Sequence, residues 1–163
     1  MRESTQLVTI RPATGDDESF LSHLFASTRP EFDLLDLPES QKQALLSMQF
    51  KAQRQHYDES YPRAESGIIL RDDLPIGRML VDRTAREITL VDIALLPEHR
   101  NAGIGTDLIQ ELLAEAAAAR KPIRLHVLKS NPALRLYERL GFSRVGDQSM
   151  YFEMLFQPIN RGQ

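Results

Sequence analysis

The chain has 163 residues, no cysteine, no tryptophan and a net charge of −3 from 20 Lys+Arg against 23 Asp+Glu. That length suits one domain, and a chain of this size buries roughly 70% of its unfolded surface without covalent staples. The missing cysteine excludes disulfides, thiol nucleophiles, iron–sulfur clusters and Cys-ligated zinc. His23, His56, His99 and His126 show no metal-binding spacing, and no run of like charge marks a nucleic-acid face. The opening MRESTQLVTI has no signal-peptide core, and no apolar stretch is long enough to cross a bilayer. The expectation is a soluble cytoplasmic domain with no nucleic-acid or membrane partner.

In chain order, Val8-Thr9-Ile10 reads as a short first strand ending at Arg11-Pro12. Thr14 can cap a helix whose Phe20, Leu21, Leu24 and Phe25 share a face, and Arg29-Pro30 ends it. Glu31 to Pro38 reads as irregular, acidic and rich in Phe and Leu. A second helix starts near Ser40, carries Ala44, Leu45, Met48 and Ala52 at helical spacing, and fades near His56-Tyr57. The period then changes. Ile68 to Leu70 and Ile76 to Val81 flank a turn-rich joint, Arg71 to Pro75, which predicts a hairpin, and Ile88 to Leu96 forms a largely apolar strand.

Ile104, Leu108, Ile109, Leu112, Leu113 and Ala116 give the strongest helical pattern in the chain, closed by Lys121-Pro122. Ile123, Leu125 and Val127 alternate as a strand. Asn131-Pro132 opens a short helix with Asn as cap, lined by Leu136, Tyr137 and Leu140 and ended by Gly141. Phe142 to Val145 and Met150 to Phe156 make a closing hairpin. The order implies a mixed α/β domain with at least one parallel strand pair.

Leu95 to Thr106 carries the chemistry. A buried strand ends, a turn follows, and Gly103 and Gly105 sit where a long helix begins. Exposed amides and the macrodipole make such a helix start attractive to phosphate, and glycine lets the phosphate approach. Walker A fails, because Gly105 is followed by Thr106-Asp107. A Rossmann fingerprint fails too, because Leu108 stands where its third glycine belongs. A tight loop using glycine for geometry alone is the alternative.

Arg100-x-x-Gly103-x-Gly105 resembles the pyrophosphate loop of the GNAT acetyltransferase superfamily, and Ile93 to Pro97 looks like the end of that family's fourth strand. Asn131 to Phe142 is similar to its second signature at Asn131, Tyr137, Gly141 and Phe142, with Ala133 one place off. The resemblance covers nearly the whole chain. It implies one GNAT domain, 1–163, with a central mixed sheet of about seven strands, four helices, and a splay between the fourth and fifth strands. In that fold acetyl-CoA lies in the splay.

Carried over residue by residue, the backbone of Ile93, Ala94 and Leu95 would hold the pantetheine arm. The amides of Arg100, Asn101, Ala102, Gly103, Ile104, Gly105 and Thr106 would receive the pyrophosphate, as a helix-start nest suits a diphosphate. Arg100 would contact phosphate or order the loop. Asn131 would cap its helix, bond the cofactor arm, or both. Tyr137 reads as core by spacing, but the family commonly places a tyrosine beside the thioester sulfur. A phenol with pKa near 10 can stabilise a leaving thiolate by hydrogen bonding.

The family often takes its base from the fourth strand, where Glu87 and Asp92 are candidates. Asp92 lies in an apolar run where burial would raise its pKa; its structural alternative is a pair with Arg83. His99 reads as a solvated surface histidine. The family shapes its acceptor pocket from segments corresponding to Thr28–Ser40 and Ser143–Met150. Glu31, Asp33, Asp36 and Glu39 would suit a cationic amine, whereas Arg29, Arg63 or Arg83 would suit a substrate carboxylate.

The implied activity is transfer of acetyl from acetyl-CoA to a primary amine, on a small molecule or a peptide, in a ternary complex. Cysteine is absent and Gly141 to Val145 does not complete a serine elbow, which leaves no conspicuous nucleophile for an acyl-enzyme. A longer acyl group is the alternative within enzymes, and a non-catalytic acyl-CoA-binding or interaction module is the alternative outside them. Homodimers are frequent in the family, and the apolar side chains of Phe32 to Leu37 would serve an interface.

Overall fold

A computed structural model describes residues 7–158. The expected domain, 1–163, runs past them at both ends, so residues 1–6 and 159–163 lie outside the described residues. Among the described residues seven strands form one open sheet in the order β1-β2-β3-β4-β5-β7-β6. They are β1 (Val8–Pro12), β2 (Glu65–Arg71), β3 (Leu74–Arg83), β4 (Ile88–Leu95), β5 (Ile123–Leu128), β6 (Ser143–Gln148) and β7 (Tyr151–Phe156). The helices are α1 (Glu18–Ser27), α2 (Glu39–Ser60), α3 (Ile104–Ala119) and α4 (Ala133–Arg139). The predicted architecture of mixed sheet and four helices is therefore present. No helix among the described residues is long and apolar enough to cross a membrane.

The chain divides into two compact units. One comprises the described residues up to Leu80 together with Asp92–Arg100. Here β1 runs antiparallel to β2, from Val8↔Arg71 to Pro12↔Gly67. The β2–β3 connection is a two-residue turn in which Asp72 and Asp73 both take left-handed φ, 51° and 69°. Two positive-φ residues give the turn the twist a hairpin needs, and Asp tolerates them without glycine. Asp72 also accepts the amide of Leu7 through Oδ1 at 3.0 Å.

Thr14 caps a 3-10 turn, Gly15–Asp17, that leads into α1, with Asp17 completing a capping box. Asp17 is buried, takes two hydrogen bonds from Arg11 at 2.8 and 2.9 Å, and takes a third from the Thr14 amide at 2.8 Å. Arg11, followed by the Thr14 amide, holds this carboxyl down from 3.8 to about 2.

Helix α2 corrects the face read from the sequence. Ala44, Met48 and Ala52 are exposed, and of the expected face Leu45 is half-buried; beside it the inward line runs through Leu46, Phe50, Gln53 and Tyr57, at steps of four, three and four. Phe50 packs against Phe25 of α1 with ring centroids 5.6 Å apart. The helix also continues to Ser60, beyond its expected fade.

The other unit comprises Val81–Val91 and the described residues from Asn101. Strand β4 pairs parallel with β5 from Ile88↔Ile123 to Leu90↔Leu125, where the register ends. That parallel pair is the one the strand–helix–strand order requires. Strand β5 continues beside β7 to Leu128↔Tyr151, so the closing hairpin enters the sheet through its second strand. Helix α3 buries Ile104, Leu108, Ile109, Leu112 and Ala116, as the spacing predicts.

Candidate functional site

The turn after β4 is held by local bonds. Leu96 N–H donates to the Ile76 carbonyl at 2.8 Å, and a 3-10 turn, Pro97–His99, follows. Arg100 Nε donates to the Leu95 carbonyl at 2.9 Å, so its side chain ties the turn to the end of β4. This is the loop-ordering role left open for it. His99 is half-buried, with Nδ1 3.1 Å from Arg71 Nη1. A solvated surface histidine is therefore corrected: with a guanidinium donating to it, Nδ1 must be an acceptor.

Next, Asn101 and Gly103 take left-handed φ of 61° and 81°, while Ala102 between them does not. Alternating handedness turns successive amides to one side, the arrangement of an anion nest. Helix α3 then opens at Ile104 with no side chain capping it. Its first turn contains Gly105 and Thr106, both half-buried, and its Ile104 side chain is buried and anchors the start. The orphan amides of a helix start need acceptors from elsewhere.

Asn131 Oδ1 accepts the Ala133 amide at 2.9 Å, the bond of a helix cap, and this leaves its own NH2 outside that contact. Helix α4 ends in a Schellman closure: Gly141 takes φ 104° and donates to Glu138, while Phe142 N–H donates to the Tyr137 carbonyl at 3.0 Å. Tyr137 is buried, with its ring edge-on to Phe142 at 5.7 Å.

The two candidate bases differ in their partners. Glu87 precedes β4 and accepts from Arg124 Nε at 2.9 Å and from Nη2 at 3.4 Å. Arg124 also bonds Glu153 of β7. These carboxylates raise the Arg124 pKa, the Glu87 hydrogen bond most of all. Asp92 Oδ2 accepts from Arg78 Nη2 at 2.5 Å. Among the described residues nothing bonds its Oδ1. The expected Arg83 partner is corrected: Arg83 pairs with Glu115 at 2.6 Å. Arg83 is therefore also engaged as a candidate for a substrate carboxylate. Arg29 lies over the Phe25 ring at 4.6 Å and bonds the Thr28 hydroxyl at 3.1 Å.

Arg78 is the residue that sequence reasoning missed. Its signal was one cation inside the apolar run Ile76 to Val81, since a guanidinium there must find partners. In the acceptor segment, Glu31, Asp33, Asp36 and Glu39 are exposed, as are Leu34, Leu35 and Leu37, whereas Phe32 is buried. The Phe of that apolar segment therefore belongs to the core.

A family model described as "Acetyltransferase (GNAT) domain" matches residues 63–144. The chain belongs to the GNAT family. The match runs from just before β2 to the start of β6 and includes both stretches just described. Among curated relatives, this GNAT chain is 38% identical over 66 residues to the Cysteine-rich protein 2-binding protein of Mus musculus, 40% of this chain and 8% of the relative. It is 29% identical over 85 residues to the ribosomal protein bS18-alanine N-acetyltransferase of Haemophilus influenzae, 52% of this chain and 58% of the relative. The matched part thus spans less than two thirds of either relative. The PaiA N-acetyltransferase of Thermoplasma acidophilum, solved in complex with coenzyme A, has the same fold: TM-score 0.69 at 17% identity, over 93% of this chain and 99% of that one.

Proposed function

We propose that the chain, as one catalytic domain over 1–163, binds acetyl-CoA and transfers its acetyl group to a primary amine in a ternary complex. The observation that carries this is the Arg100–Thr106 turn: in a GNAT chain, a long helix opens uncapped behind two left-handed residues. The residues fit a diphosphate, since they offer backbone donors while Arg100 braces the turn. The amides of Arg100, Asn101, Ala102, Gly103, Ile104, Gly105 and Thr106 receive the pyrophosphate. The backbone of Ile93, Ala94 and Leu95 receives the pantetheine, with the Leu95 carbonyl already taken by Arg100. Asn131 keeps its Oδ1 on the helix and gives its NH2 to the cofactor arm.

Acetyl-CoA supplies an activated acyl carbon, to which the acceptor nitrogen bonds as the carbon–sulfur bond breaks. Asp92 takes one proton from the incoming ammonium, leaving the electron pair on nitrogen, and later releases that proton to solvent. The second nitrogen proton ends on the departing sulfur, which Tyr137 stabilises through its phenol. Asp92 is chosen over Glu87 because an oxygen of Asp92 is left over from its ion pair. The setting we propose is the cytoplasm, consistent with a chain that cannot form disulfides.

The test is a screen of polyamines, amino acids, aminoglycosides and short peptides for acetyl-CoA-dependent thiol release. N-terminal alanyl peptides come first, given the name of the Haemophilus relative. The chain adds no background, having no thiol of its own. Gly103→Val should raise the CoA dissociation constant at least tenfold by calorimetry, since a branched side chain at φ 81° is strained by about 1–3 kcal/mol. Wild-type affinity in a folded variant would count against the site.

Tyr137 edge-on in the core favours a second reading, a non-catalytic acyl-CoA-binding module. Tyr137→Phe separates the two. A fall in kcat of about 10- to 100-fold is expected for the enzyme. Unchanged turnover removes the role of Tyr137, and the absence of turnover across the amine panel favours the binding module.

A further inference from the structure

We propose that Arg78 is a positioning residue for proton removal from the acceptor. It grips one oxygen of Asp92 and leaves the other without a protein donor among the described residues. The inference rests on the acetyl-transfer reading above. Arg78 lies in β3, with its side chain 13% exposed, and is held from two elements. From β4, Asp92 Oδ2 accepts Nη2; from α2, Gln53 Oε1 lies 3.5 Å from the same nitrogen, and the Tyr57 ring lies 5.8 Å from the guanidinium carbon.

The partner that Arg78 lacks is the informative part. Its Nε is buried and is without a hydrogen-bond partner among the described residues. Nε–H and one Nη2–H point along the same edge of a guanidinium, the edge on which a carboxylate ordinarily sits with both oxygens. A pair selected for stability alone would close that fork, because a buried donor without a partner is unfavourable. Here Asp92 uses one oxygen only. Its Oδ1 is left to accept the ammonium proton: an N–H bond breaks, an O–H bond forms on Oδ1, and the electron pair stays on the amine nitrogen. Arg78 keeps its charge throughout and holds the carboxyl group by Oδ2. It touches no reacting atom and acts through Asp92.

This makes Arg78 separable from cofactor binding. With an acceptor identified by thiol release, Arg78→Met, which keeps the buried volume, should lower kcat by about 10- to 100-fold. The KM for acetyl-CoA and the calorimetric affinity for CoA should stay within about twofold. Arg78→Lys, which keeps the charge but loses the flat edge, should fall between the two. In an Asp92→Asn background, adding Arg78→Met should cost less than about twofold more, because both changes remove the same step.

Full kcat in Arg78→Met would overturn the proposal, as would an undiminished loss in the Asp92→Asn background, or a KM for acetyl-CoA that rises in step with the fall in kcat. If Arg78→Met does not fold, Arg78→Lys carries the same criteria. A wild-type chain that turns over no amine overturns the acetyl-transfer reading and this one together. An active wild type with an indifferent Arg78 overturns this one alone.

Discussion

Two carboxylates belong to strand β4, one just before it and one within it, and they are held in opposite ways. At its start, Glu87 offers both oxygens to Arg124, and Arg124 is shared with Glu153, so the cluster is closed on itself. Five residues on, Asp92 gives one oxygen to Arg78, whose Nε bonds nothing among the described residues. Their exposures are nearly equal, 30% for Glu87 and 27% for Asp92, so burial does not separate them. Partner geometry does. On the proposed reading the saturated carboxylate serves the sheet, and the half-saturated one serves the acceptor.

The comparison breaks most sharply in turnover. Asp92→Asn should lower kcat by about 10²- to 10⁴-fold, whereas Glu87→Gln should change it by less than about threefold and show its cost in thermal unfolding. Thiol-release kinetics on both variants decide it, and a larger loss from Glu87→Gln would reverse the assignment. A smaller effect is expected from Arg124→Met, which takes from Glu87 and Glu153 the cation they share. Stability should fall by about 1–2 kcal/mol in urea unfolding, with the affinity for CoA unchanged.

The smallest effect extends the comparison to a third carboxylate. Asp17, bonded by Arg11 and the Thr14 amide, is as closed as Glu87 and has its pKa lowered from 3.8 to about 2. A depressed carboxyl stabilises the fold above its unfolded value and loses that contribution as pH falls through the folded one. The melting-temperature difference between wild type and Asp17→Asn should therefore hold steady from neutral pH to about 5 and shrink between about 4 and 2. A difference that widens on acidification would contradict the bonding described for Asp17.

Where side chains alternate or repeat in a strict period, the sequence was a good guide. Helix α3 buries the face that its spacing predicts, and Gly141 ends α4 with the left-handed φ expected of it. Helix α2 was misread because its polar face carries Ala44, Met48 and Ala52, which are apolar but exposed. Its true inner line includes Gln53, turned in to meet Arg78. Ion pairing was the least legible layer. Arg78 and Arg83 are both cations on β3, and only three-dimensional packing assigns the first to Asp92 and the second to Glu115. Handedness in the candidate site was half legible: glycine announced it at 103, whereas nothing local marked Asn101 apart from that residue type's tolerance of positive φ.

The burial of Tyr137 has an optical consequence. With no tryptophan in the chain, ultraviolet emission comes from four tyrosines alone. Tyr151 is exposed, Tyr57 and Tyr61 are half-buried, and Tyr137 is enclosed beside Phe142, so the four emitters sample distinct surroundings. Subtracting the spectrum of Tyr137→Phe isolates the enclosed one. The unlabelled protein thereby carries its own gauge of packing at α4, readable during unfolding or titration without a dye.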